Sequence, residues 1–522
     1  IIGLAIVCVF MCWVYLLPGL ASSLALILYT ELILILLNAF DITLTLPGIA
    51  GIILGIGMAV DANVIIFARV KEELTAGKSV HASLKSGFQK AMSAIVDGNI
   101  TTLIAAGVLW LRGSGTVKGF AQTLALGIVV SMFTALVITR LIIFAFYGAG
   151  IHNEKVYGRH LKERKPVDFL GKKKIFFVIS IILCLAGPVM MGVNHARGIG
   201  AMNYSLDFVG GTSTNVTFDK EYTLEEIDSQ MIPSLEEITG DKNIQVQTVK
   251  DSNQVVFKTQ TLDLEKREAL ASYLNENYGV EASDIATENI SSTVSSEMRR
   301  DAVIAVIIAT ICMLLYIWFR FKDIRFATSA VVALMHDVLV VLGFYVIARV
   351  SVGNTFIACM LTIVGYSING TIVIFDRIRE ALATKSRTED LKDLVNRCIT
   401  QTLTRTIYTN FTTFVMVVAL YILGVSSIKE FAAPLMVGII CGGYTSVCIT
   451  GALWYVMKTR LGEEAKAARA ASGTKTVSVK AADKKEGTTS TESNAADTSA
   501  DDSSKKKKGK KTSFKNKKSK KR

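Results

Sequence analysis

Asp61 lies in residues 48–67, a run otherwise apolar enough to cross a bilayer, and the same run recurs about three hundred residues later with the acid replaced. An ionisable group at membrane depth costs ~2.5–3.5 kcal/mol on insertion scales, so it is kept for coupling, ion passage or a partner, unless it is a packed and permanently protonated acid. A second polar set falls in residues 403–423, where Arg405, Thr409, Thr412 and Thr413 recur at helical spacing with Tyr408 beside them. Asp61 lies six residues before Phe67, or ~9 Å from that end at helical rise, and Arg405 sits shortly inside the start of its own run. The two could therefore meet at similar depth, where changes in their distance or hydration would alter the acid's affinity for protons. The plain alternative for Arg405 is snorkelling to headgroups. Glu31, His336 and Asp337 also fall inside apolar runs and are read as secondary, making polar contacts between helices.

These residues must be positioned by membrane helices. Hydrophobic types make up 51% of the 522 residues, too many and in runs too long for a soluble core. About eleven spans are expected, at 1–17, 20–37, 48–67, 91–111, 120–146, 175–193, 302–319, 326–348, 356–375, 403–423 and 431–456. One segment large enough to fold outside the membrane, 194–300, separates the sixth and seventh.

The formal net charge of +13 is concentrated at one end. Residues 505–522 hold twelve basic side chains and no acid, so the rest nets about +1 (13 minus 12). From residue 462 the chain is Ala, Ser, Thr, Lys and Asp without periodicity, a composition expected to stay disordered. Such a tail suits anionic lipid headgroups, with ribosomal RNA as the sharper possibility. Lysines and arginines also crowd 147–174, 68–90, 320–325 and 377–401, which the positive-inside rule assigns to the cytoplasm. Counting outward, 194–300 lies outside and the tail inside.

The halves repeat. Setting Gly57 on Gly365 also sets Ile66, Phe67, Arg69, Glu72 and Leu74 on Ile374, Phe375, Arg377, Glu380 and Leu382. A second block sets Asn99, Thr101, Thr102, Gly113, Lys118, Phe120, Gly127 and Thr134 on Asn410, Thr412, Thr413, Gly424, Lys429, Phe431, Gly438 and Thr445. Parallel repeats imply a pseudo-twofold axis along the membrane normal, with function at the interface. The second half runs span, outer domain, five spans, while the first shows only five spans and no initiator methionine, so one span and one outer domain are expected upstream. The organisation expected is therefore a five-span half (1–146), a basic linker (147–174), a span (175–193), an outer domain (194–300), a second five-span half (301–457) and the tail (458–522).

The outer segment reads as strands at 212–218, 243–249, 254–259 and 284–290 with helices at 224–238 and 262–277, the ferredoxin-like order. Apart from His195 at its very start it contains no histidine, and it has no cysteine or catalytic constellation, which favours binding or lever action over enzymatic chemistry. Asp207 to Gly211 reads as a turn closing onto the membrane. None of the eight cysteines lies there, and no metal or cofactor spacing is evident. Gly77-Lys78-Ser79 resembles the end of a phosphate-binding loop, but Glu72 occupies its first glycine position, so ATP use is not expected.

Several motifs carry a resemblance. Leu46-Pro47-Gly48-Ile49-Ala50-Gly51, Gly57-Met58-Ala59-Val60-Asp61-Ala62-Asn63-Val64, Thr101-Thr102-Leu103-Ile104-Ala105-Ala106 and Lys118-Gly119-Phe120-Ala121 resemble the membrane half of bacterial SecD. Asp207-Phe208-Val209-Gly210-Gly211, Glu297-Met298-Arg299-Arg300, His336-Asp337, Gly365-Tyr366-Ser367-Ile368-Asn369 and Phe375-Asp376-Arg377-Ile378-Arg379-Glu380 resemble SecF, in the order of a fused SecDF. The resemblance covers residues 1–457. It implies a polytopic α-helical protein of the resistance-nodulation-division superfamily with two parallel pseudo-repeats of five core helices and an extracytoplasmic α+β domain. It further implies a plasma-membrane accessory of the Sec translocase that uses the proton motive force, after SecA has acted, to help unfolded preproteins through SecYEG. YajC and YidC are implied as further partners, and protons as coupling ion with no other cofactor. Asp61 is carried over as proton acceptor and Arg405 as its partner, with Asn63, Asn369, Thr371, Tyr408, Thr409, Thr412 and Thr413 in support. Where SecF usually has Asp after the Asn of its Gly-Tyr-Ser-Ile-Asn motif, this chain has Gly370, which leaves Asp61 as the principal titrating group. Two other readings stand beside this one: a passive translocon scaffold, and an exporter of lipid or drug, which would normally need larger outer domains.

Overall fold

The computed structural model describes residues 2–42, 44–113, 115–158, 165–241, 244–248, 253–386, 388–424 and 426–460. The basic tail from residue 461 lies outside the described residues. The first half comprises α1 (Ile2–Tyr15), α2 (Leu17–Ala39), α3 (Leu46–Thr75), α4 (Val80–Arg112), α5 (Gly115–Phe133) and α6 (Thr139–Gly148), the last two joined by a π-helical turn at Thr134–Ile138. A short α7 (Glu154–Tyr157) follows, then α8 (Lys173–Ala196) and the single turn α9 (Leu206–Val209). After the outer domain come α13 (Ser292–Phe321), α14 (Ile324–Ile347), α15 (Asn354–Ala383), α16 (Leu391–Leu423) and α17 (Ser426–Tyr444), which passes through a π turn at Thr445–Thr450 and stays helical to Arg460.

Among the described residues ten helices are long and apolar enough to span a bilayer. The segment expected to cross at 1–17 is instead the 14-residue α1. It folds back along α2: Ser23 Oγ donates to the Cys8 carbonyl at 3.3 Å, and a Cβ on Gly19 would lie 2.0 Å from the Met11 carbonyl oxygen. On α13 the residues Val303, Ile307, Ile311 and Leu315 are exposed at four-residue steps, while Ala305, Ala309 and Met313 are buried between them. That one-sided apolar stripe is the face a helix turns to lipid.

The core helices outrun the apolar runs that announced them. α3 continues to Thr75 and α4 begins at Val80, so most of 68–90, expected as a loop, is a helical hairpin. Likewise 377–401 is largely helix, the end of α15 and the first turns of α16. Caps explain where these helices begin. Thr45 Oγ1 accepts from the Gly48 amide ahead of α3, whose first turn holds Pro47, and Asp390 accepts from the Lys392 amide ahead of α16.

The two halves cross-pack. α3 lies against α16, and its repeat-mate α15 lies against α4. At both crossings a glycine faces a threonine: a Cβ on Gly57 would meet Thr413 Cγ2 at 3.2 Å, and one on Gly365 would meet Thr102 Cγ2 at 3.1 Å. Small residues let backbones approach closely enough for interhelical contact, and here Thr102 Oγ1 donates to the Gly365 carbonyl at 3.3 Å. The π turns obey the same symmetry, Thr134 and Thr445 each opening one.

The domain expected to lie outside, called the outer domain for that expectation, has β1 (Gly211–Thr217), α10 (Leu224–Gln230), α11 (Ile232–Thr239), β2 (Gln245–Thr248), β3 (Gln254–Thr259), α12 (Leu264–Tyr278) and β4 (Ile285–Ile290). Its all-antiparallel sheet has the order β2-β3-β1-β4, the ferredoxin-like arrangement expected from the sequence. The single helix expected over 224–238 is broken at Met231, just ahead of Pro233, which occupies the first turn of α11. Val216, Phe257, Ile227, Leu270 and Leu274 close the core.

Candidate functional site

Asp61 is 6% exposed, and its Oδ2 accepts a 2.8 Å hydrogen bond from Nδ2 of Asn369. The two residues are 308 positions apart, as are Gly57 and Gly365, so the bond joins repeat equivalents across the pseudo-twofold axis. Close packing enforces it: Gly98 on α4 lies so near that a Cβ there would come 2.2 Å from Asn369 Oδ1. Asp61 Oδ1 has no hydrogen-bond partner.

Two cavities meet at this pair. One is lined by Arg405, Thr409, Asn410, Gly370 and Ser446, the other by Met58, Asn99 and Thr102, and Asp61, Ile65, Tyr366 and Asn369 line both. The positions follow from helical period, Ile65 one turn after Asp61, Thr409 one turn after Arg405, and Asn369 and Gly370 one turn after Tyr366. Tyr366 Oη donates to Asn410 Oδ1 at 3.3 Å.

Arg405 is 7% exposed and shares the first cavity with Asp61, yet no ion pair within 4.0 Å joins them among the described residues, and its Nε is unpartnered. Each lies farther from its helix end than from the end of its apolar run. Asp61 stands fourteen residues before Thr75 and Arg405 fourteen after Leu391, ~21 Å of helix in each case. The match in depth survives although both helix ends moved.

The remaining candidates divide. Thr409 lines the cavity. Thr412 Oγ1 donates to the Thr409 carbonyl at 2.9 Å, and Thr413 packs on Gly57. Asn63 turns away and donates to the Ala59 carbonyl of its own helix at 3.2 Å. Thr371 faces the π turn, 3.5 Å from Thr450 Oγ1. Tyr408 packs edge-on against Phe10 and Tyr15. Glu31 is exposed on α2 and lines neither cavity. His336 and Asp337 are buried in a separate cluster between α14 and α17.

Three features escaped the sequence reading. Asn99 and Asn410, one on each cavity wall, were visible only as an aligned pair. At one end of the helices Arg69 reaches its own helix's Glu72 (2.9 Å) and the other half's Glu380 (3.3 Å), while Arg377 reaches Glu380 (3.0 Å) and, across the axis, Glu72 (3.8 Å). The repeat had aligned those four without showing that they touch. Asp97, buried on α4, pairs with Arg320 of α13 at 2.6 Å and accepts from Tyr316 Oη at 2.9 Å. Its signal was an acid inside the apolar run 91–111.

Outside the membrane helices, Asp207 Oδ2 accepts from the Asn354 amide at 3.2 Å, capping α15, while Tyr204 pairs with Val352. The Asp207 turn thus ties the outer domain to the helix that carries Asn369. The linker between halves docks on α16: Leu170 N and Val167 N donate to Asn396 Oδ1 and Thr400 Oγ1, both at 3.0 Å. Asp168 there accepts from the Gly171 amide, Lys392 and Asn396, contacts that hold its carboxyl below the usual carboxylate range.

Fold and site together define a polytopic helical membrane protein built of two parallel halves, with a buried acid at their interface and one ferredoxin-like domain between them. The chain matches the family described as "Protein export membrane protein SecD/SecF, C-terminal" over residues 1–148 and 270–460. It is 36% identical over 481 residues to the protein translocase subunit SecDF of Bacillus subtilis (strain 168), covering 88% of this chain and 63% of that one. It is also 36% identical over 309 residues to the protein translocase subunit SecF of Calditerrivibrio nitroreducens, 57% of this chain and 96% of the relative. The crystal structure of SecDF from Thermus thermophilus, described as a translocon-associated membrane protein, superposes with a TM-score of 0.77 at 36% identity, over 88% of this chain and 61% of that one. The chain belongs to the SecD/SecF family of protein export membrane proteins, and it spans about three fifths of the length of the SecDF relatives it matches.

Proposed function

We propose that this chain is part of a protein translocase subunit that works beside the SecYEG channel and uses protons bound at Asp61 to move its outer domain. The observation that carries the reading is the Asp61–Asn369 hydrogen bond, which joins the halves at the point where two cavities meet. Because Oδ2 takes the amide and Oδ1 is unpartnered, Oδ1 can accept a proton without loss of that bond. Ionised, the acid balances Arg405 across a shared cavity; protonated, it leaves one net positive charge there. A buried charge without a counter-charge draws in water or moves apart from its neighbours. Protonation would therefore bias α3 against α16, and α15 would carry the change through its Asp207 cap to the ferredoxin-like domain.

In this reading the outer domain faces away from the cytoplasm, unfolded preproteins already advanced by SecA are the load, and YajC and YidC are neighbours. The tail meets anionic lipid on the cytoplasmic side. A passive scaffold is the second reading, favoured by Gly370 and by the absence of an ion pair between Asp61 and Arg405 among the described residues. Asp61→Asn separates the two: preprotein import into inverted membrane vesicles, with and without an imposed proton gradient, should lose its gradient-dependent part. Unchanged gradient dependence would leave the scaffold, and failure to bind purified SecYEG would point to an exporter of lipid or drug.

A further inference from the structure

The second half holds a cluster that the first half lacks. His336 Nδ1 and Asp337 Oδ1 on α14 are 3.1 Å apart, and Cys441 Sγ on α17 lies 3.1 Å from that oxygen and 3.8 Å from that nitrogen. All three residues are buried. Thr445 Oγ1 stands 3.3 Å from His336 Nδ1 and hydrogen-bonds Asp337.

The fold does not demand these residues. α2 and α14 end at Ala39 and Ile347, the 308-residue offset that relates Asp61 to Asn369, and α5 and α17 end at Phe133 and Tyr444, offset by 311 (444 minus 133). The first half therefore places Leu28, Tyr29 and Val130 where the second places His336, Asp337 and Cys441. Three ligand-type side chains have gathered at one point where the sister half is built from two aliphatic residues and a tyrosine.

Their spacing is that of ligands around one ion. Tetrahedral zinc bonds of ~2.0 Å to nitrogen and oxygen and ~2.3 Å to sulfur place ligand atoms roughly 3.3–3.6 Å apart, and the measured edges of 3.1, 3.1 and 3.8 Å bracket that range. A neutral imidazole, a carboxylate and a thiolate around a divalent ion sum to zero net charge, the form least costly to bury. Mixed sulfur, nitrogen and oxygen donors select zinc and its transition-metal neighbours over magnesium or calcium. His336 Nε2 is buried without a partner, so the ring is held from its Nδ1 side alone. We propose that His336, Asp337 and Cys441 bind a transition-metal ion of the zinc class, with Thr445 Oγ1 beside the fourth position, stapling α14 to α17. The competing arrangement is a hydrogen-bonded knot, since Asp337 also accepts from Ser367.

Sequence spacing could not show this set, because two ligands are adjacent on one helix and the third lies about a hundred residues on. The proposal is independent of proton coupling at Asp61, and its test reads metal directly. The purified chain in detergent is equilibrated with zinc, dialysed, and assayed by elemental mass spectrometry, then loaded with cobalt(II) for absorption spectroscopy. About one zinc per chain should be retained, and cobalt should give thiolate-to-metal charge transfer, as a bound thiolate requires. Cys441→Ser and His336→Ala should lose both signals, while Cys448→Ser keeps them. A wild-type chain with no retained zinc and no cobalt charge transfer would overturn the proposal and leave the hydrogen-bonded knot, a result that needs no variant to fold. Equal metal binding by Cys441→Ser would overturn it as well.

Discussion

Replacing Gly98 by alanine would disturb the site around Asp61 without touching a charge. A Cβ at that position falls 2.2 Å from Asn369 Oδ1 and 2.9 Å from its Cγ. Ordinary contact begins near 3.4 Å, so the amide must retreat by about 1.2 Å (3.4 minus 2.2). Its bond to Asp61 is 2.8 Å long, and a retreat of that size directed away from the acid breaks it. Overpacking of this kind costs ~1–3 kcal/mol, and a lost hydrogen bond to a charged acceptor ~1.5–3 kcal/mol. Asn369→Ala removes the bond without the clash, and in Gly98→Ala/Asn369→Ala there is nothing left for the new methyl to strike. The double variant should therefore unfold with Asn369→Ala, not below it, a non-additivity of ~1–3 kcal/mol for residues in contact. Thermal unfolding of the four proteins in detergent measures this, with gradient-driven export measured in parallel. Export should fall to one common level in all three variants. Additive losses of stability, or a Gly98→Ala protein with wild-type melting and export, would refute the close packing of α4 on Asn369.

Three further expectations concern the edges of the site. Arg69 is 6% exposed and lies 3.7 Å from the buried Asp376, whereas Arg377 is 21% exposed and pairs with the more exposed Glu72 and Glu380, so Arg69→Gln should cost ~3 kcal/mol or more by taking a counter-charge from a buried acid, and Arg377→Gln ~1 kcal/mol or less, as read by melting temperature. Asp168 has its folded pKa below the unfolded value, so docking of the linker on α16 should be constant above the ordinary carboxylate range and fade only as pH falls through the lower folded value. Amide exchange of Leu170 against pH checks this, and Asp168→Asn should show the faded state already at neutral pH. Asp207→Ala removes the cap of α15 and should cost ~0.5–2 kcal/mol, seen as faster exchange in residues 354–358 with the outer domain's own strands unchanged.

What the sequence could reveal depended on the length scale of each interaction. Repeat register, the strand-helix order of the outer domain and the matched depth of Asp61 and Arg405 follow from local periodicity and from self-comparison of the chain. Helix ends did not, because charged amphipathic turns such as those before Thr75 and after Leu391 read like loops once apolarity stops. Assignment of faces failed for a similar reason. Asn63 and Thr371 each stand two residues past a site residue, ~200° around a helix, and so turn to other partners. Tyr408 adjoins Thr409 but is claimed by the aromatic rings of Phe10 and Tyr15 on α1. Asp97 with Arg320, the four-residue charge cluster and the His336 group are contacts between distant helices, which no single-chain pattern encodes.

The cross-packing of α3 on α16 and of α15 on α4 has a bearing on how such a chain could be divided. Each half offers its sister the same pair of surfaces, a glycine-bearing helix and a threonine-bearing one, so the fit is reciprocal and does not depend on the covalent join. Nicking the polypeptide between α7 and residue 165 should therefore release no mass from the membrane complex. Two separately translated pieces would find each other by the same interlock, with the docked stretch 167–171 travelling as the second piece's leading edge.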